Sequence, residues 1–186
     1  VNPHMAHEHR TRLSVPAAES RKVRVVGGGV AGMEAAMTAS DRGHRVVLIE
    51  KSDVLGGVIK FADHDSIKVQ LKKYKDYLIR QVTKRKIDIR LGTEASEEIV
   101  NTVKPDAIIV ATGAKPIRPK IPGIDRENVM YAADSYYYPE KVGKKVVMIG
   151  GGLVGCEVGS HLANVGHSVE ILEMGPELAP EDNGFH

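Results

Sequence analysis

Six glycines and two glutamates carry the chemistry that can be read from this chain. Gly27, Gly29 and Gly32 form a G-x-G-x-x-G array, and Gly150, Gly152 and Gly155 repeat it. Such an array can cradle a pyrophosphate. The first glycine permits a tight turn, the second lets the backbone approach the phosphates, and the third lets a helix lie close to the preceding strand. The helix amino end then offers unpaired N–H groups and the positive end of its dipole to the anion. Glu50 and Glu173 follow each array by roughly 20 residues, where a carboxylate can accept hydrogen bonds from an adenosine ribose. An acid there also opposes the extra phosphate of NADP. From Met174 to His186 there is no Lys or Arg, so the second site is expected to take NADH rather than NADPH.

Elements of the right kind surround both arrays. "KVRVVGG" reads as a β-branched strand, "VAGMEAAMTASDRG" as a helix of small residues, and "HRVVLIEK" as a parallel strand buried on both faces. The loop "SDVLGGVIKFADHD" follows. A helix is predicted from Ser66 to Lys86, with Ile67, Leu71, Tyr74, Leu78 and Val82 on its apolar face. Lys68, Lys72, Lys73, Lys75, Arg80 and Lys84 occupy its other face, read as solvated, with a basic docking face as the alternative. A strand at "IDIRLG" and a short charged segment lead to "DAIIVATGA", predicted as another buried strand. "KPIRPKIPG" has three prolines and suits neither a helix nor a central strand. The second strand–helix–strand unit runs from Lys145 to Met174. A constant shift of 123 positions, 27 to 150, carries Glu34 to Glu157, Gly43 to Gly166, His44 to His167 and Glu50 to Glu173 without a gap. The predicted organisation is an arm over 1–22, a dinucleotide-binding domain over 23–115, a crossover over 116–144, and the first part of a second nucleotide domain over 145–186.

Composition narrows the classes. The chain has 186 residues, with 26 basic against 24 acidic side chains, too even a balance to indicate nucleic acid. No apolar run approaches the roughly 20 residues of a membrane span, and no leader pattern is present, so a cytoplasmic protein is expected. The single cysteine, Cys156, excludes an internal disulfide or dithiol centre. It is read as a small buried packing residue at the start of the second helix, although a helix amino end can activate a thiol. Glu157, assigned to the first turn of that helix, either complements the dipole or faces a nicotinamide. His4, His7 and His9 lack a rigid element to converge them, so no metal site is expected. The tyrosines of "SYYYP" (Ser135 to Pro139) are read as packing residues at a helix end.

Together, "VVGGGVAGMEAAMTASDRGHRVVLIEK", "LGG" (Leu55 to Gly57), "VATGA" (Val110 to Ala114), "IPG" (Ile121 to Gly123) and "VVMIGGGLVGCEVGSHLANVGH" resemble the two-dinucleotide flavoprotein architecture. The implied fold is α/β, two Rossmann-like dinucleotide-binding units with parallel sheets, truncated. Within that architecture, disulfide reductases need a cysteine pair that this chain lacks. The narrower resemblance is to the reductase module of the NADH:flavin oxidoreductase (old yellow enzyme) family. It points to the iron–sulfur branch containing 2,4-dienoyl-CoA reductase, trimethylamine dehydrogenase and bile-acid-modifying reductases. The opening "VNP" (Val1 to Pro3) is similar to the segment just beyond that branch's cluster cysteines, so a fragment is expected.

The resemblance implies an FAD site at Gly27, Gly29, Val30, Ala31, Gly32, Glu50, Lys51, Gly57, Val58, Ala111, Thr112 and Gly113. It implies an NADH site at Gly150, Gly152, Leu153, Val154, Gly155, Glu157 and Glu173. No catalytic acid or base is implied in this chain. Its implied partners are the dinucleotides and an FMN-barrel and 4Fe–4S portion of a parent enzyme that reduces an enoate-type double bond. Neither nucleic acid nor membrane is expected. Two other readings use the same residues: a structural ADP-binding domain as in trimethylamine dehydrogenase, and a reductase subunit serving a separate iron–sulfur partner, as in glutamate synthase small-subunit-like proteins.

Overall fold

The structure is a computed structural model that describes residues 15–101 and 104–180. The histidines at positions 4, 7 and 9 and the "VNP" opening lie outside the described residues. The chain divides into two compact units, one built on residues up to Ala62 and from Lys68 to Ala114, the other on Asp63–Ile67 and from Lys115 onward. Among the described residues no helix is long and apolar enough to cross a membrane.

The first unit contains β1 (Lys22–Val26), α1 (Val30–Asp41), β2 (Arg45–Ile49), α2 (Val69–Thr83), β3 (Ile87–Arg90), α3 (Glu97–Asn101) and β4 (Ala107–Val110). Its sheet is wholly parallel in the order β3-β2-β1-β4. Small residues bring α1 close to the sheet, with Met33, Ala36 and Met37 buried against Val23, Val25, Val46 and Leu48. α2 adds Leu78 and Val82 to this core. Each valine, leucine and methionine among them contributes about 1.5–3 kcal/mol of burial energy. α1 ends where Gly43 turns left-handed at φ 88°. There the His44 amide donates to the Ala39 carbonyl at 3.1 Å and the Gly43 amide to Ser40 at 2.9 Å, satisfying the last carbonyls.

β2 is central and buried as expected, but β4 is not. Ile108 and Val110 are exposed, at 46% and 73%, because β4 is an edge strand with only β1 beside it. The helix predicted over 66–86 is shorter, and its apolar face is displaced. Ile67 and Tyr74 are exposed, whereas Lys75 is buried. The Lys75 chain lies over Gly56, where an added Cβ would sit 3.1 Å from its Cδ. Aliphatic carbons thus do the packing that the pattern assigned to Tyr74. The charged segment after β3 forms α3, and the loop after β2 contains a 3₁₀ helix, Gly57–Asp63.

One polar clasp joins the ends of α1 and α2. Arg85 Nε and Nη2 donate to the two Asp41 carboxylate oxygens at 2.7 and 2.8 Å. The Arg85 hydrogen bond holds the Asp41 carboxyl below its ordinary 3.8 against the opposing effect of burial. A depressed acid pKa stabilises the fold above the unfolded value, and that stability is lost as pH falls through the folded one. Both groups are partly exposed, so solvent screening limits Arg85→Ala to a cost of about 1 kcal/mol at pH 7. The gap between wild type and variant in chemical denaturation should narrow steadily below pH 3.8.

In the second unit, β5 (Lys145–Ile149), α4 (Leu153–Asn164) and β6 (Ser168–Leu172) form a two-stranded parallel sheet with one helix. α4 covers the face carrying Met148 and Ile171, leaving Val147, Ile149 and Leu172 exposed on the other. The helix ends as α1 does: Gly166 is left-handed at φ 96° and the His167 amide donates to Leu162. The proline segment before β5 has no regular structure through Ile121. Of the three tyrosines, only Tyr136 is buried. Its hydroxyl donates to Asp65 Oδ2 at 3.2 Å, and its ring lies 4.5 Å from that of His161. Burial first, then Asp65, pushes the Tyr136 hydroxyl pKa well up.

Candidate dinucleotide sites

Both glycine arrays sit at the carboxyl ends of parallel strands, and the glycines do distinct work. Gly27 leaves β1 with φ 109°, and a Cβ there would lie 2.2 Å from the Ala111 carbonyl oxygen. Gly32 faces a tighter limit: its Cβ would lie 1.7 Å from Gly27 O. Gly27 thus packs against the chain leaving β4, and Gly32 against the turn itself. Gly29 and Gly152 differ. Each has extended backbone as the residue before its helix. A Cβ at Gly152 would meet nothing within 4 Å, and at Gly29 only Gly57 Cα at 3.7 Å. That open space is what a pyrophosphate needs. Neither helix has a side-chain cap or an acid in its first turn, so the amino ends present backbone donors and positive dipole to an anion. The residues present fit a dinucleotide at both loops.

The acids brace the loops in a shared way. Glu50 Oε2 accepts the Gly28 N–H at 2.6 Å, and Oε1 accepts the Ser52 N–H and hydroxyl at 2.8 and 2.7 Å. In the second unit Glu173 Oε2 accepts the Gly151 N–H at 2.6 Å and Oε1 the Gly175 N–H at 2.7 Å. Gly28 and Gly151, Ser52 and Gly175 correspond under the shift seen in the sequence. Burial would raise the Glu50 pKa. The Ser52 and Gly28 amides, the Ser52 hydroxyl and the charge of Lys60 overcome it, and the carboxyl stays below its ordinary value. Glu173 is exposed, and the Gly175, Gly151 and Met174 amides lower its pKa. With three donors already in place, Glu50 retains an acceptor position on Oε2.

The remaining predicted residues follow these frames. Val30 and Ala31 open α1, and Lys51 follows Glu50 on the surface. Gly57 lies against Gly29, and Val58 beside it is 80% exposed. Ala111 abuts Gly27, and Thr112 and Gly113 continue from β4 as exposed chain. Gly150 leaves β5 left-handed, Leu153 and Val154 open α4 as exposed side chains, and Gly155 packs on Gly150 O at 2.0 Å from its added Cβ. Two assignments change. Glu157 is the fifth residue of α4, beyond its first turn, so the dipole reading is withdrawn. Cys156 is only half-buried, with its Sγ 3.1 Å from the Gly151 carbonyl. Sequence reasoning missed Ser52 and Lys60, whose Nζ donates to Ser52 Oγ at 3.2 Å. The spacing Glu50-x-Ser52 was the available signal.

Comparison with known proteins places this geometry. A family profile described as pyridine nucleotide-disulphide oxidoreductase matches residues 21–184. An NADH oxidase from Thermoanaerobacter brockii is 39% identical over 183 residues, 96% of this chain and 28% of that protein. A cinnamate reductase from Clostridium sporogenes is 40% identical over 181 residues, 94% of this chain and 26% of that protein. The solved complex of 2-naphthoyl-CoA reductase with 2-naphthoyl-CoA superposes with a TM-score of 0.89 at 37% identity, covering 97% of this chain and 28% of that one. The chain thus spans about a quarter of the length of each of these three proteins.

Proposed function

Because the chain belongs to the pyridine nucleotide-disulphide oxidoreductase family, we propose that it is the dinucleotide-binding portion of an NADH-dependent flavin oxidoreductase. The segment 23–115 holds FAD. The segment 145–186 contributes the NADH site, with 116–144 as the crossover. When bound, the flavin supplies the redox chemistry, taking hydride from NADH and passing electrons to an iron–sulfur and FMN portion that reduces an enoate-type double bond. This chain's own residues bind and orient. Gly29 and Gly152 leave room for pyrophosphate, and the α1 and α4 amino ends supply donors to it. Glu50 and Glu173 brace the loops and turn carboxylate oxygen toward the ribose. Glu157 and the residues after Glu50 and Gly57 line the two sites. No side chain here is assigned a proton-transfer role.

The observation that carries the reading is the repeated geometry, two loops with open cradles and acids tethered to corresponding loop amides. The names of the cinnamate and 2-naphthoyl-CoA reductases support an unsaturated substrate for the parent enzyme. The test is to reconstitute the chain with FAD, remove the excess, denature it, and identify the released nucleotide by absorbance and mass. FAD retained at one per chain, followed by anaerobic bleaching with NADH in preference to NADPH, is the expected result. Retention of ADP with exclusion of FAD would replace the relay with a structural nucleotide.

A further inference from the structure

The carboxyl ends of the first sheet carry the nucleotide loop, while its amino ends gather positive charge. Parallel register sets Lys22 beside Arg45 and Arg24 beside Val47, which in turn pairs with Asp88. Alternation along the strands therefore projects Lys22, Arg24, Arg45 and Asp88 from one face, opposite the face that Val23, Val25 and Val46 turn to the core. Lys86, the residue just before β3, joins them. These five side chains and Val47 line a cavity of about 280 Å³.

Its floor is unusual. Arg24 is 1% exposed, and although its Nη1 donates to the Ile99 carbonyl, its buried Nε has no hydrogen-bond partner. Among the described residues, no ion pair engages Lys22, Arg45 or Lys86. Asp88, the one acid in the lining, is already taken by Arg90 at 2.8 Å. A guanidinium removed from water without an anion is costly. Burial, and then Arg90, lower the Arg24 pKa, and Asp88 offsets only part of that. A ligand that restored balance would be negatively charged, accept from a planar N–H donor, and fit among three flexible cations.

We propose that this cavity is an anion site, distinct from the glycine loops, that takes a phosphate group with Arg24 at its floor and Lys22, Arg45 and Lys86 at its rim. Arginine suits this role because its N–H donors match phosphate oxygens. The volume admits more than the bare ion, so a small phosphate ester fits as well as inorganic phosphate.

Calorimetric titration of the 186-residue chain tests this, with FAD and NAD in excess so that the glycine loops are filled. Inorganic phosphate and glycerol 3-phosphate are titrated separately against chloride at equal ionic strength. The expected result is one anion per chain, weakened at least tenfold by Arg24→Met and several-fold by Lys86→Gln. Arg24→Met keeps the chain length without the charge, and Lys86 is exposed, so the second variant leaves the fold intact. Tighter binding of the ester would identify an organic phosphate, and tighter binding of the ion a free one. Equal affinity in wild type and both variants, or heats no different from those of chloride, would overturn the proposal.

Discussion

Gly152→Ala and Gly155→Ala, three positions apart on one loop, are expected to fail in opposite ways. At Gly155 an added Cβ would lie 2.0 Å from the Gly150 carbonyl oxygen, inside any tolerable contact and against backbone that cannot swing away. Alanine would gain up to about 1 kcal/mol of helix propensity. Opening the turn costs more, so a net loss of about 3 kcal/mol or more is expected. Gly152 is the reverse case. Its backbone, φ −67° and ψ −179°, suits any residue, and its Cβ would project into open space. Alanine is a poorer helix cap than glycine by up to about 1 kcal/mol, a cost that the lower entropy of its unfolded chain largely offsets, but its methyl occupies the ground a pyrophosphate must approach. Thermal melting and an NADH fluorescence titration separate the two outcomes. Gly155→Ala should lower the melting temperature by several degrees. Gly152→Ala should melt as wild type and bind NADH at least tenfold more weakly. NADH binding unchanged in Gly152→Ala would leave the second loop a turn without a ligand.

What made these positions legible was locality. Gly27 to Gly32 and Gly150 to Gly155 act on one another within six residues, so spacing alone dictates geometry, and the repeat supplies an internal check. The acids were legible for the same reason, since strand length places Glu50 and Glu173 beside their own loops. Other features depend on partners that the sequence does not name. Tyr136 meets Asp65 across 71 positions, and Lys75 is buried because the bend at Gly56 offers its methylenes a surface. The apolar run of β4 predicted burial, yet burial depends on what covers a strand, and Ile108 and Val110 are left exposed. Arg24 shows the same limit from the other side. Nothing within "KVRVV" sets Arg24 apart, and only the folded chain reveals that it is enclosed.

Replacing Glu50 should reveal that one acid has two tasks. Glu50→Gln keeps the shape but offers acceptor lone pairs on only one of its two terminal atoms. Either the Gly28 amide or the Ser52 pair then loses its partner in a buried setting, at a cost of about 2 kcal/mol. The sign of the pH effect follows from the depressed pKa. The wild-type carboxylate stabilises the fold above its ordinary value of 4.5, and this contribution is lost as pH falls through the lower folded value. Glu50→Gln lacks that acid limb, so the two proteins should differ most near pH 7 and converge in acid. Glu173→Gln makes the contrast: its side chain is exposed, so melting should stay close to wild type, while discrimination between NADH and NADPH should relax. FAD retention separates bracing from ribose binding in Glu50→Gln. A lowered melting point together with at least tenfold weaker FAD affinity supports both tasks. A lowered melting point with unchanged affinity reduces Glu50 to a brace for Gly28, and wild-type melting across the whole pH range would contradict the tether itself.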